Sequence, residues 1–181
     1  MKLRKNTWQK VKLEKLFKLK SGNALPQRNI VYGKHPVYGG NGIVGFHNFF
    51  MIEDATIVIG RVGEYCGSIH LTKPKSWITD NGLYPIEFFS EINFGFLENA
   101  LRNLDLNQYA QKTGQPSISQ TTLSQIEIEL PSLPEQTQIA ELFQSIETAI
   151  EQAEQQENNL LKLKNQLLRS CLKIELEKYY V

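Results

Sequence analysis

The chain has 181 residues, of which 41% are hydrophobic and 22% are charged, and its formal net charge is +1. This length accommodates one domain with its own core and an additional segment. No apolar run approaches the ~20 residues of a membrane-spanning helix. The basic N-terminus leads into no apolar stretch, so we expect no signal peptide. Cys66 and Cys171 form no CxxC pair, which favours a cytoplasmic, reducing compartment and argues against a disulfide scaffold or a zinc site.

The small net charge conceals an asymmetry along the chain. Residues 1–80 hold 13 lysines and arginines against 5 aspartates and glutamates, a balance of +8, whereas residues 81–181 hold 7 against 14, a balance of −7. A basic first half suits a polyanionic partner such as nucleic acid. The alternative is that these basic residues only solvate a surface near the N-terminus.

The first elements in the chain predict a mixed α/β domain. Residues 8–19 are basic and amphipathic and predict a short strand plus a helix, which ends at the turn formed by Ser21 and Gly22. The run ATIVIG, residues 55–60, is β-branched and bounded by turn residues. Such a run predicts a buried strand.

Four further elements complete this domain. Residues 68–71 and 83–89 predict strands, and residues 94–110 repeat apolar residues at helical spacing and predict one helix. The segment QIEIEL, residues 125–130, alternates strictly between apolar and polar residues. It therefore predicts a strand with one buried face.

A long helix is predicted after Pro134, since proline fits the first turn of a helix and no glycine or proline follows it. The apolar residues then repeat over about six heptads, as in a coiled coil. At 1.5 Å per residue, forty residues form a rod ~60 Å long, which needs a partner helix to bury its stripe. The alternative is a single helix folded back on its own domain. The residues expected in a dimer seam are Ile139, Leu142, Ile146, Ala149, Ala153, Leu160, Leu163, Leu167 and Ile174.

The prediction is therefore an α+β chain, with one mixed α/β domain at residues 1–133 and a long coiled-coil-forming helix at residues 134–181. Sequence motifs of catalysis are missing: there is no GxSxG, HExxH or GxxxxGK[ST] segment, and the three histidines show no ligand spacing. These missing motifs favour a binding protein without a metal or cofactor.

The glycine-rich segment 33–67 predicts a recognition surface. Glycines allow a backbone to approach a ligand closely, and the pair Asn41-Gly42 is a turn signal. Arg61 lies next to Gly60, where its guanidinium could face a guanine edge or a phosphate. The alternative is that the aromatic residues of this region are core, and we expect this of Phe46 and Trp77.

Five motifs, in this order along the chain, resemble the specificity subunits of type I restriction–modification systems. The last of them is the most specific, because it resembles the passage where a target-recognition domain ends and a helix begins. The motifs are Trp8 with Ser21-Gly22, YGGNGIVG (38–45), TIVIGRVGEYCGSI (56–69), WITDN (77–81) and LSQIEIELPSLPEQTQIAELFQSIETAI (123–150).

The resemblance implies a non-catalytic subunit that binds DNA through its recognition domain. It further implies that the subunit holds a methyltransferase subunit and, through it, the restriction subunit. The usual member has two recognition domains, each reading half of a split DNA sequence, with long helices between them. The residues expected at the DNA surface are Lys20, Arg28, Lys34, Tyr38, Asn41, His47, Arg61, Tyr65, Lys73, Lys75 and Asn81.

This chain departs from the family pattern because it carries one recognition domain and one long helix. We therefore expect two copies to pair through the helices and to read a two-fold symmetric site interrupted by a spacer. Two alternatives stay open. One is a stand-alone dimeric DNA-binding regulator, and the other is an enzyme in which Cys66 is the nucleophile.

Overall fold

The computed structural model of the chain describes residues 8–30, 33–112 and 114–179, with side chains described as far as Cys171. The chain divides into two compact units, Met1–Ala140 and Glu141–Val181. The predicted α+β class is confirmed, because the first unit contains three sheets and the chain continues into a long helix. The predicted division of functions between residues 1–133 and 134–181 stays a prediction.

The described part of the first unit contains nine strands and two complete α-helices, and a third helix begins in it. The strands are β1 (Gln9–Lys12), β2 (Phe17–Ser21), β3 (His35–Gly39), β4 (Gly42–His47), β5 (Ile57–Gly60), β6 (Ile69–Leu71), β7 (Trp77–Ile78), β8 (Gly82–Phe88) and β9 (Glu127–Leu130). The helices are α1 (Phe94–Asn103), α2 (Gln120–Ser124) and α3 (Leu133–Tyr179).

Three small sheets organise this unit. Strands β1 and β9 pair antiparallel, and a four-stranded antiparallel sheet has the order β2-β8-β5-β6. The third sheet has the order β4-β3-β7, in which β3 pairs antiparallel with β4 and parallel with β7. A bulge interrupts the β3–β4 register between Val37 and Tyr38.

Strand β5 lies between two hydrophobic clusters. Ile57 and Ile59 belong to the main core, and Val58 belongs to a second cluster with Tyr38 and Ile78. All four residues of β5 are buried. This packing explains the uninterrupted β-branched run in the sequence, because a strand buried on both faces does not alternate.

Two predicted helices are shorter than expected. Residues 8–19 form β1 and the start of β2 with only one 3-10 turn, Leu13–Lys15, between them. The predicted helix 94–110 ends at Asn103, and a separate 3-10 turn covers Leu106–Tyr109. The break lies at Asp105, whose φ of +47° is incompatible with a continuing right-handed helix.

Strand β9 confirms the alternating pattern of its sequence. Ile128 is buried, whereas Glu127 and Glu129 are exposed.

The segment 38–48, in contrast, was expected as a turn-rich surface and forms most of the β3–β4 hairpin. Its turn requires glycine at position 42, where φ is +84°.

The first turn of α3 is fixed to the rest of the first unit by Gln136, which is only 2% exposed. Its Oε1 accepts a hydrogen bond from the backbone N–H of Asn93 at 3.0 Å, and its Nε2 donates to the carbonyl of Pro131 at 3.0 Å. Asn93 is itself the N-cap of α1, since its side chain accepts from the N–H of Phe96. Gln136 thereby connects the starts of two helices.

The predicted seam residue Ile139 does not belong to an exposed stripe, because it is buried in the first unit with 7% of its surface exposed. In the second unit the large apolar residues of α3 are exposed, from Phe143 at 41% to Leu160 at 66%. The side chain of Ile174 lies outside the described residues. No helix in the described part of the chain is long and apolar enough to cross a membrane.

Replacing Gln136 by alanine removes both of its hydrogen bonds and leaves the N–H of Asn93 and the carbonyl of Pro131 without a partner. We expect the free energy of unfolding to fall by about 1–3 kcal/mol, the cost of leaving buried polar groups unsatisfied. Urea denaturation measures this change. The matched control is Gln138→Ala, two residues along the same helix, where the side chain is exposed. Equal stability of the two variants would contradict this role of Gln136.

Candidate nucleic-acid interface

Four chain segments meet at one edge of the first unit. They are the end of β2 at Ser21, the β3–β4 turn at Asn41, the end of β5 at Arg61 and the turn before β8 at Asn81. The backbone N–H of Arg61 donates to the carbonyl of Asn81 at 2.9 Å, and the hydroxyl of Ser21 donates to the carbonyl of Asp80 at 3.1 Å. We call Ser21, Asn41, Arg61 and Asn81 the polar edge.

Glycines make this convergence possible, because two backbones touch where a side chain would not fit. A Cβ at Gly60 would overlap the carbonyl oxygen of Gly40, and a Cβ at Gly22 would overlap the carbonyl oxygens of Ile78 and Thr79. These neighbours are backbone atoms, which cannot move aside as a flexible side chain can. The glycines that the sequence concentrates here therefore bring the polar edge together.

The backbone of Arg61 is held on both sides. Its N–H donates to Asn81, and its carbonyl accepts from the N–H of Ile118 at 2.9 Å and from the thiol of Cys66 at 3.3 Å. The exposed guanidinium donates from Nη1 to the hydroxyl of Ser21 at 3.3 Å. Among the described residues, no carboxylate forms an ion pair with Arg61. Its charge is therefore available to an anionic or acceptor-rich ligand.

Hydrogen bonds of Ser68 and His70 hold the backbone of the turn that carries Asn41. The hydroxyl of Ser68 donates its single proton to the carbonyl of Gly40. His70 therefore donates from Nε2 to the Ser68 oxygen, at 3.2 Å, which assigns the neutral ring its Nε2–H tautomer. The same ring lies against Gly42, where an added Cβ would be 3.3 Å from Nδ1. Burial, together with the positive charge of Arg102, lowers the pKa of His70.

A second group of predicted residues lies at the opposite end of the β3–β4 hairpin. His35 and His47 pair across the strands there, about 13 Å from the turn for a five-residue strand. His35 donates from Nδ1 to the carbonyl of Lys75 at 3.0 Å. The Lys75 ammonium pairs with Glu53 at 3.4 Å and lies 5.7 Å from the ring centre of Phe50. Of the predicted DNA residues, His47 and Lys75 therefore lie in this region, apart from the polar edge.

The remaining predicted residues differ in exposure. Tyr38 is 4% exposed and its hydroxyl accepts from the backbone N–H of Lys73 at 3.0 Å. It supports the surface from inside and does not lie on it. His47 is half-buried, with Nδ1 bonded to the carbonyl of Asn29 at 2.9 Å. The predicted residues that are exposed outside the polar edge are Lys20, Arg28, Lys34, Tyr65, Lys73 and Lys75.

The two aromatic residues expected in the core are also placed differently. Phe46 is 45% exposed, which contradicts the expectation. Trp77 is half-buried, and its Nε1 donates to the carbonyl of Asn23 at 3.1 Å. Both lie in the three-stranded sheet, which therefore exposes more aromatic surface than we expected from the sequence.

Sequence reasoning missed the part that Ser21 and the segment after α1 play at this edge. Ser21 was recognised only as a turn residue, although its hydroxyl touches Arg61. Pro116 accepts a hydrogen bond from the N–H of Gly63 at 2.9 Å, and Gln115 lies beside Gly63. The polar, proline-containing sequence around these residues marks a loop, but no local signal indicates its contact with the Arg61 segment.

Cys66 does not have the environment of a nucleophile. The side chain is 2% exposed, and its thiol donates to the carbonyl of Arg61. Burial raises the pKa of Cys66, and a raised pKa disfavours the reactive thiolate. His70 bonds to Ser68 instead of Cys66. These contacts make Cys66 a core residue that supports the polar edge.

The first unit is a mixed α/β fold with a polar edge, and the chain continues into the long helix α3. The sequence model described as type I restriction modification DNA specificity domain matches residues 5–163. The chain therefore belongs to the family of type I restriction–modification specificity domains.

Individual relatives agree with this assignment. The chain is 28% identical over 141 residues to the specificity subunit of the type I restriction enzyme EcoprrI from Escherichia coli, covering 75% of this chain and 35% of that protein. Its fold is similar to that of the S subunit of the type I restriction-modification system from M. genitalium, with a TM-score of 0.72 and 24% identity, covering 83% of this chain and 42% of that chain. The HsdS subunit from Thermoanaerobacter tengcongensis gives a TM-score of 0.59 at 16% identity, covering 83% and 39%. The matched part of this chain thus spans about two fifths of the length of these relatives, or less.

The pH dependence of stability tests the environment of His70. Because its pKa is lowered on folding, protonation favours the unfolded chain. The free energy of unfolding should therefore fall as the pH decreases through the ordinary histidine value of ~6.5. In His70→Gln, which can still donate to Ser68, this part of the fall should disappear. Urea denaturation between pH 8 and pH 5.5 measures the difference, and an identical pH profile for both proteins would contradict the assigned environment.

Proposed function

We propose that this chain is a non-catalytic, DNA-binding specificity subunit of a type I restriction–modification complex, acting in the cytoplasm without a cofactor of its own. The first unit reads one half of a split DNA site. Two copies pair through α3, so that the site read by the pair is two-fold symmetric. The chain also holds the methyltransferase subunit and, through it, the restriction subunit.

The observation that carries the DNA-binding proposal is the environment of Arg61. The guanidinium is exposed, one of its five N–H groups is directed at Ser21, and no described carboxylate neutralises it. Two of the remaining N–H groups suffice for a bidentate contact with a guanine edge or a phosphate. The backbone of Arg61 is bonded to that of Asn81, and Asn41 follows Gly40, whose carbonyl lies against Gly60. Both asparagines are exposed, and asparagine amides pair with adenine in the major groove. The polar edge thus offers the groups that read base edges.

The exposed apolar residues of α3 support pairing with a second copy. Leu142, Ile146, Leu160, Leu163 and Leu167 recur at the heptad positions expected of a seam, and all are about half exposed in the single chain. An exposed stripe of this length is unfavourable in water, and a second helix would cover it. Ala149 and Ala153 lie in the same stripe and leave room for a close approach of the partner helix.

The apolar surface of α3 is wider than one seam, which supports a further protein partner. Phe143, Ile150, Leu161 and Leu168 all lie on the same side of the seam, and all four are exposed. A two-stranded coiled coil buries mainly its two seam positions. Additional apolar positions therefore need an additional surface, and we assign them to the methyltransferase subunit.

Selection from a library of random DNA duplexes tests DNA reading. The purified full-length chain should select a motif of two inverted half-sites separated by a spacer. For Arg61→Ala we expect binding to the selected duplex to weaken by about 1–3 kcal/mol, together with loss of preference at the contacted base pair. Arg169→Ala, an exposed arginine on α3, is the matched control. If Arg61→Ala keeps both affinity and preference, Arg61 does not read DNA.

Charged substitutions in the stripe test pairing. Ile146→Glu with Leu160→Glu places two charges in the proposed seam, where burying an unpaired charge is costly. We expect the protein mass measured by sedimentation to change from a dimer to a monomer.

The matched control for the pairing test is Gln144→Glu with Asn158→Glu, which adds the same two charges on the opposite side of the helix. This control should remain a dimer. A dimer that survives the stripe substitutions would eliminate pairing through this stripe.

A further inference from the structure

The hydroxyl of Ser21 has determinate hydrogen-bond roles. The Asp80 carbonyl can only accept, so Ser21 donates its one proton there, at 3.1 Å. The Arg61 guanidinium can only donate, so Ser21 accepts from Nη1, at 3.3 Å. The Ser21 oxygen is thus a fixed acceptor for Arg61, because rotation of the hydroxyl would break the bond to Asp80.

Ser21 is itself held in a rigid position. It pairs with Leu83 across the β2–β8 ladder, and the next N–H, of Gly22, donates to the carbonyl of Gly82 at 3.0 Å. The backbone of Arg61 is also fixed, as described above. The remaining freedom is in the long Arg61 side chain, and Ser21 provides the one side-chain hydrogen bond that the structure describes for its guanidinium.

We propose that Ser21 is a positioning residue that orients the Arg61 guanidinium and thereby sets how sharply the polar edge discriminates between base pairs. The inference rests on the proposed DNA reading by Arg61. A bidentate contact requires two N–H groups to be aimed together, whereas a single contact to a phosphate tolerates rotation. Ser21 therefore contributes to discrimination more than to general affinity for DNA.

The experiment uses the full-length chain and the duplex that the wild-type protein selects from the random library. Binding is measured for this duplex and for a set of duplexes with one base pair changed at a time. The variants are Ser21→Ala, Ser21→Thr, Arg61→Ala and the double variant Ser21→Ala with Arg61→Ala. Ser124→Ala is the matched control, because its hydroxyl also donates to a backbone carbonyl, that of Thr121 at 2.8 Å, in another part of the unit.

For Ser21→Ala we expect binding to the selected duplex to weaken about 3- to 10-fold, the effect of one hydrogen bond. Its discrimination should fall only at the base pairs where Arg61→Ala also loses discrimination. The double variant should bind as Arg61→Ala does, because Ser21 acts through Arg61. Ser21→Thr keeps the hydroxyl and should retain the wild-type preference, as should Ser124→Ala.

Three results would overturn the inference. They are additive losses in the double variant, a uniform loss at every base pair, or an unchanged preference in Ser21→Ala. If Ser21→Ala does not fold, as judged by thermal unfolding, Ser21→Cys keeps the side-chain volume with a weaker acceptor and should lose discrimination in the same way. A wild-type protein that selects no motif would refute the proposed function itself, and the inference would fall with it.

Discussion

The burial of β5 on both faces is the constraint on which the candidate site depends. Ile57 and Ile59 pack into the main core while Val58 packs into the second cluster, so the strand cannot shift without disturbing both. Its last residue, Gly60, then touches the backbone of the β3–β4 turn. Arg61 directly follows this strand, so the packing of β5 fixes the position of the Arg61 backbone. Such preorganisation lowers the entropic cost of binding a ligand.

The sequence predicts those elements whose apolar period is simple. Strand β5 and strand β9 are examples, the first through a continuous β-branched run and the second through strict alternation. The β3–β4 hairpin was predicted poorly, with Tyr38 expected at the surface and Phe46 in the core, and the structure has the opposite. Strand β3 is the middle strand of its sheet and four of its five residues are buried, Tyr38 among them, whereas β4 is an edge strand on which Phe46 is exposed. No local pattern in a single sequence reveals which of the two strands is covered on both faces.

The residue types of the candidate site could be predicted from the sequence, but which residues lie close together could not. Arg61, Asn41 and Asn81 were selected because arginine and asparagine beside glycines suit the reading of bases, and the fold brings these three together. The contact between Ser21 and Arg61 joins residues forty positions apart, and only the sheet pairing creates it. In α3 the heptads predict seam positions from Leu142 onward, and the structure leaves the large apolar residues at these positions exposed. The extra apolar residues beside the seam were not anticipated, because a two-helix pattern has no place for them.

The central claim is that one recognition unit, used twice, directs a methyltransferase to a split DNA site. The most direct measurement is co-expression of this chain with the methyltransferase subunit of its host's type I system, followed by sequencing of the host DNA for methylated adenines. Methylation at an interrupted palindrome is the predicted result, because two identical units related by a two-fold axis read inverted half-sites. An asymmetric methylated site would contradict pairing of identical copies. A folded chain that forms no complex and directs no methylation would contradict the specificity function.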